Sequence, residues 1–139
     1  MNLLLIDEDS ASMRYYLLEF REAKFLCKHC RNVDDALVEL KERGSTYDLV
    51  LLDSAMPPGE AYAKVETEAG TQTGKFLFED IRKLLPDVPV IILTNFSSLE
   101  WIQNACKGPH VAVVRKLEML PIELIDKVQK MINVSTKQS

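Results

Sequence analysis

The chain has 139 residues, room for about one domain at ~150 residues each. Its 47% hydrophobic and 27% charged residues exclude a disordered tail, a collagen-like repeat and a disulfide scaffold. The net charge of −4, with the basic residues scattered, carries no nucleic-acid footprint. No apolar run nears the ~18 residues needed to cross a bilayer.

Residues 3–6 are a short apolar run that Asp7 ends at once, without the basic stretch that opens a secretion signal. Met13, Tyr16, Leu17 and Phe20 follow the i, i+3, i+4, i+7 spacing of a one-sided helix. Residues 25–30 read as a second strand. The next helix carries Val33, Ala36, Leu37 and Leu40, with Asn32 to cap it, Lys41 and Arg43 in its last turn and Gly44 to stop it. Residues 49–52 form a third strand. Residues 57–73 are too polar and too long for an ordinary βα loop of ~2–6 residues. They read as an enlarged loop that either gates a site, selects a partner or is a solvated surface segment. Leu77, Ile81 and Leu84 stripe a third helix, residues 88–93 make a fourth strand, and Ser97 with Glu100 makes a capping box. A fifth strand at 111–114 precedes a helix that Pro121 opens and Leu124, Ile125, Val128 and Ile132 stripe.

This alternation predicts an α/β fold, a doubly wound five-stranded parallel sheet of (βα)5 type over residues 1–134, with 135–139 as a C-terminal tail. Three cysteines, an odd number, fit reduced thiols and a cytoplasmic protein. Cys27 and Cys30 are a Cys-x-x-Cys pair, but on an extended strand such residues point to opposite faces, which favours packing over metal or redox use. His29 and His110 read as ordinary surface histidines, and Trp101 and Tyr15 as packing residues.

Ligands of open parallel sheets bind beyond the carboxyl ends of the strands. There the chain places Asp7, Glu8 and Asp9 after strand one, Asp53 after strand three, Thr94 after strand four and Arg115 with Lys116 after strand five. The three carboxylates of Asp7, Glu8 and Asp53 against the Lys116 ammonium call for a hard divalent cation. Mg²⁺ suits oxygen ligands, and no His or Cys is near for zinc. With Lys116 and the Thr94 hydroxyl, such a site receives a phosphoryl group, and a carboxylate can itself be the nucleophile.

The runs Leu4-Leu5-Ile6-Asp7-Glu8-Asp9, Leu51-Leu52-Asp53-Ser54-Ala55-Met56-Pro57, Ile91-Ile92-Leu93-Thr94 and Val113-Val114-Arg115-Lys116 resemble the receiver domain of two-component response regulators over nearly the whole chain. The resemblance implies a flavodoxin-like strand order 2-1-3-4-5. It also implies a phosphoacceptor at Asp53 and Mg²⁺ held by Asp7, Glu8, Asp53 and the Ala55 backbone carbonyl. Thr94 and Lys116 would act on the phosphoryl group. The donor would be a histidine kinase or histidine phosphotransfer protein. The output would be a downstream protein or an effector domain outside this chain, by a conformational change at Thr94, without nucleic acid or membrane. Such a domain is a signalling phosphoacceptor rather than an enzyme, and a homodimer through the fourth and fifth helices stays open.

Three departures stand out. Leu117 follows Lys116 where the family has proline, so a trans bond is expected there; Val113 replaces the switch aromatic; and Phe96, with the long loop, would restrict water at the acyl phosphate. Two other readings remain. One is a phosphatase of the haloacid dehalogenase type with Asp7 as nucleophile, and the other is a receiver-like interaction module that is never phosphorylated.

Overall fold

The structure, a computed structural model, describes residues 1–9, 11–95, 99–116 and 118–138, the last three of these as backbone only. Five strands form one parallel sheet in the order β2-β1-β3-β4-β5: β1 (Asn2–Ile6), β2 (Leu26–Cys30), β3 (Leu49–Asp53), β4 (Val90–Thr94) and β5 (Val111–Arg115). The five helices are α1 (Arg14–Glu22), α2 (Val33–Arg43), α3 (Thr73–Leu84), α4 (Glu100–Ala105) and α5 (Pro121–Gln138). The (βα)5 architecture and strand order expected from the sequence are both present. β3 and β4 are buried along their whole length, as continuous apolar runs in a sheet covered on both faces must be.

Alternation along β1 divides the core. Leu4 and Ile6 face the layer of α2, α3 and α4 with Ala36, Leu40, Leu77, Ile81 and Trp101, whereas Leu3 and Leu5 face α1 and α5 with Phe20, Leu124 and Val128. Cys30 packs in the first layer and Cys27 against the second, so the two thiols lie on opposite faces of the sheet. Both are free, and burial pushes the Cys27 thiol up to about 12.

Element ends follow the sequence with local differences. The Asn32 side chain accepts from the Asp35 amide at 2.8 Å and caps α2. Gly44 does end that helix, but in a right-handed conformation; its lack of a side chain leaves space for Leu85, whose Cδ1 lies 3.1 Å from where a Cβ would be. β4 begins at Val90 rather than at 88, because Pro89 has no N–H for the ladder. α5 runs across the expected tail boundary to Gln138. Ser97 of the expected capping box, Phe96 and Leu117 lie outside the described residues.

The 57–73 segment folds back on the body. The Met56 amide donates to the Gly70 carbonyl at 3.2 Å, and the Gln72 amide to Thr67 at 2.8 Å. Asp34 on α2 accepts from the Glu60 and Ala61 amides, both at 2.9 Å, and Gly59, at φ 65°, lies where a Cβ would be 2.8 Å from that carboxylate. Tyr62 buries its ring against Phe76 and donates its hydroxyl to Asp80. The sequence foresaw the segment's polarity but not these anchors.

Gly74, in the first turn of α3, donates its amide to the Ser54 carbonyl at 3.1 Å, and a Cβ there would stand 2.5 Å from that oxygen. Backbone on both sides cannot yield without moving the residue after Asp53. Gly74→Ala is therefore expected to cost about 2–3 kcal/mol, an overpacking penalty, read as a lower urea midpoint at unchanged slope.

Candidate functional site

Register alone brings four strand ends together. Asp53 pairs with Leu93, and Thr94 with Arg115, so the last residues of β3, β4 and β5 line one edge of the sheet. Asp7 follows β1 on the same edge, its amide donating to the Cys30 carbonyl at 3.1 Å. Lys116 is set by its amide on the Thr94 carbonyl at 2.9 Å.

The Lys116 ammonium bridges the two buried carboxylates, 2.8 Å from Asp7 Oδ2 and 3.2 Å from Asp53 Oδ2. Asp53 Oδ1 accepts from the Ala55 amide at 3.1 Å, and Asp7 Oδ1 from the Asp9 amide at 2.8 Å. Burial, then the nearby Asp7 charge, pushes the Asp53 carboxyl up to about 7 against the pull of Lys116. Burial works against the Lys116 charge, but the close ion pair with Asp7 and the Asp53 charge outweigh it and raise its pKa.

Thr94 is fully buried, and its hydroxyl oxygen accepts from Ser54 Oγ at 2.8 Å. Ser54, itself held by its amide on the Leu93 carbonyl at 2.9 Å, thus ties the residue after Asp53 to the threonine of the next strand. Sequence reasoning passed over Ser54, although a hydroxyl next to the central carboxylate was a signal to weigh. It also read His29 as a surface residue, whereas the half-buried ring donates Nε2–H to the Asp7 carbonyl at 2.7 Å and fixes the backbone under that carboxylate.

Asp7, Asp53, Thr94 and Lys116 are therefore gathered as the sequence proposed. Glu8 is exposed, and among the described residues no three His, Cys, Asp or Glu side chains form a ready metal cluster. The pair that does converge fits a hard cation. Asp7 Oδ2 is buried and, despite the nearby ammonium, receives no hydrogen bond in good geometry. Carboxylate oxygens of this kind are the donors Mg²⁺ takes. Asp9, by contrast, faces solvent, and the Ser12 amide bonded to it at 3.0 Å holds its carboxyl below the usual range.

No protein-family model matches the sequence, and no curated protein does. Solved structures do match in fold. The chain is similar to a CheY-like response regulator receiver domain protein from Methanospirillum hungatei, with a TM-score of 0.79 at 20% identity over 99% of this chain and 98% of that one. It is similar to a response regulator from Thermotoga maritima, with a TM-score of 0.70 at 21% identity over 95% and 97% of the two chains. NtrX from Brucella abortus matches with a TM-score of 0.76 at 17% identity over 99% of this chain but 28% of its own. The architecture is the flavodoxin-like fold of receiver domains.

Proposed function

We propose that this chain is a phosphoacceptor receiver domain, which takes a phosphoryl group from a histidine kinase or histidine phosphotransfer protein onto Asp53. The observation that carries the reading is the Lys116 ammonium bridging buried Asp7 and Asp53 at the carboxyl edge of a receiver-like sheet. Like-charged carboxylates this close are costly, and a cation site with a phosphoryl ligand gives them a use.

An Asp53 carboxylate oxygen attacks the donor's phosphorus, the bond from phosphorus to the donor nitrogen or oxygen breaks, and an acyl phosphate forms. Asp7, Asp53, the Ala55 carbonyl and Glu8 would hold Mg²⁺, which neutralises phosphoryl oxygens when bound. Lys116 turns its ammonium from the two carboxylates to a phosphoryl oxygen. Thr94 exchanges its Ser54 partner for another, and that exchange begins the conformational signal to a downstream protein or to an effector domain on another stretch of chain. With Val113 half-buried in the core layer of α2, α3 and α4, the movement runs without an aromatic follower at that position.

The test is intact-mass analysis after acetyl phosphate treatment, with Mg²⁺ and with chelator. One hydroxylamine-sensitive phosphoryl adduct is expected with Mg²⁺ and none with chelator, and peptide mapping should place it on Asp53. An adduct on Asp7 would instead restore the phosphatase reading. No adduct under any donor would leave a receiver-like interaction module.

A further inference from the structure

Away from that edge, a groove of about 780 Å³ opens between the end of the 57–73 segment, α3 and α4. Glu66 and Glu68 rim it from the segment, Glu79 from α3 and Glu100 from α4, and against Lys75 these four leave the lining a net charge of −3. None of the four makes an ion pair among the described residues. Unpaired like charges drawn from three separate elements repel one another, and a cation brought from outside relieves them.

The groove is not purely polar. Phe76 and Trp101 line it, and Trp101 is 7% exposed with an indole N–H that has no acceptor among the described residues. A buried donor without a partner costs free energy that a docked carbonyl oxygen would recover. Aromatic surface beneath an acidic rim suits an occupant with apolar groups on one side and cations on the other. The groove is partly open to solvent, whereas small-ligand sites bury most of their ligand. A polypeptide segment matches that shape better than a free polyamine.

We infer that this groove docks a cationic, amphipathic segment of a partner protein. The inference is independent of phosphorylation, because no lining residue belongs to the Asp53 site. The anchored 57–73 segment supplies two of the four carboxylates, which gives that enlargement a role in partner choice rather than in covering the phosphoacceptor.

Trp101 is the chain's one tryptophan, so its emission reports on the groove. Titrating the full chain with a capped amphipathic peptide of Leu, Ala and Lys is expected to give a saturable emission change that weakens with salt. The E79K/E100K chain is expected to bind that peptide at least about tenfold more weakly, from like-charge juxtaposition. Neutral Glu100→Gln should move affinity in the same direction by less. Far-UV circular dichroism and acetyl phosphate labelling of both variants should match the parent. Absence of a saturable change would overturn the inference. So would equal affinity in the charge-reversed chain, an equal response to the same peptide with Glu for Lys, or spermine binding as tightly as the peptide.

Discussion

Asp53→Asn is expected to end phosphoryl uptake from acetyl phosphate and, at about pH 8, to raise stability by roughly 2 kcal/mol. Both effects come from one group. The carboxyl is buried beside Asp7, and its pKa stands at about 7 when folded against 3.8 for the unperturbed group. Between those values the folded chain binds more protons than the unfolded one, so stability falls as pH rises from about 4 to about 7 and stays reduced above. An amide of the same shape never ionises and is spared that loss. Thermal melts of parent and variant should therefore diverge as pH rises through this window and converge near pH 4. A gap that instead widens toward acid would mean that Lys116 outweighs the combined effect of burial and Asp7.

Lys116→Met is expected to act in the opposite sense, with a loss of about 3–5 kcal/mol near pH 8. The side chain lies 2.8 Å from Asp7 and 3.2 Å from Asp53, both buried, and nothing else described carries positive charge to them. Removing the ammonium leaves two like charges in low dielectric, the case in which breaking an ion pair costs most. Protonation relieves the strain, so the deficit should shrink as the pH is lowered. Urea midpoints of the Asp53→Asn, Lys116→Met and doubly substituted chains close a cycle, and the double variant should be more stable than the sum of the two single effects. Strict additivity would show that the ammonium does not couple the two carboxylates.

Much of this site was legible because it is written at strand ends. Asp7, Asp53 and Thr94 each terminate an apolar run and Lys116 follows the last one by a residue, and parallel pairing brings such ends to one edge whatever the loops do. Ser54 and Gly74 were not legible, because their importance lies in a hydroxyl partner across the sheet and in a backbone approach of α3, neither of which periodicity encodes. The 57–73 segment misled for a related reason: its anchors are Asp34, Phe76 and Asp80, all outside it. Tyr15 was a plainer error, at 71% exposure. The stripe of Met13, Tyr16, Leu17 and Phe20 already put position 15 on the other side of the helix. Asp9 bears on the phosphatase reading, which the labelling test separates from the receiver reading. A second catalytic carboxylate would face Asp7, whereas Asp9 holds the turn before α1 through Ser12.

The contact between the Met56 amide and the Gly70 carbonyl makes the intervening residues a closed circuit, pinned to the body again at Asp34, Phe76 and Asp80. A stretch with that topology behaves as a cassette. A change of length between the Tyr62 anchor and Thr67 leaves β3 and α3 in place, since the contacts to Asp34, Phe76 and Asp80 precede it and the Gly70 contact follows it. The proposed docking groove and the proposed phosphoacceptor then rest on separate parts of the chain, one on the cassette and the other on the frame.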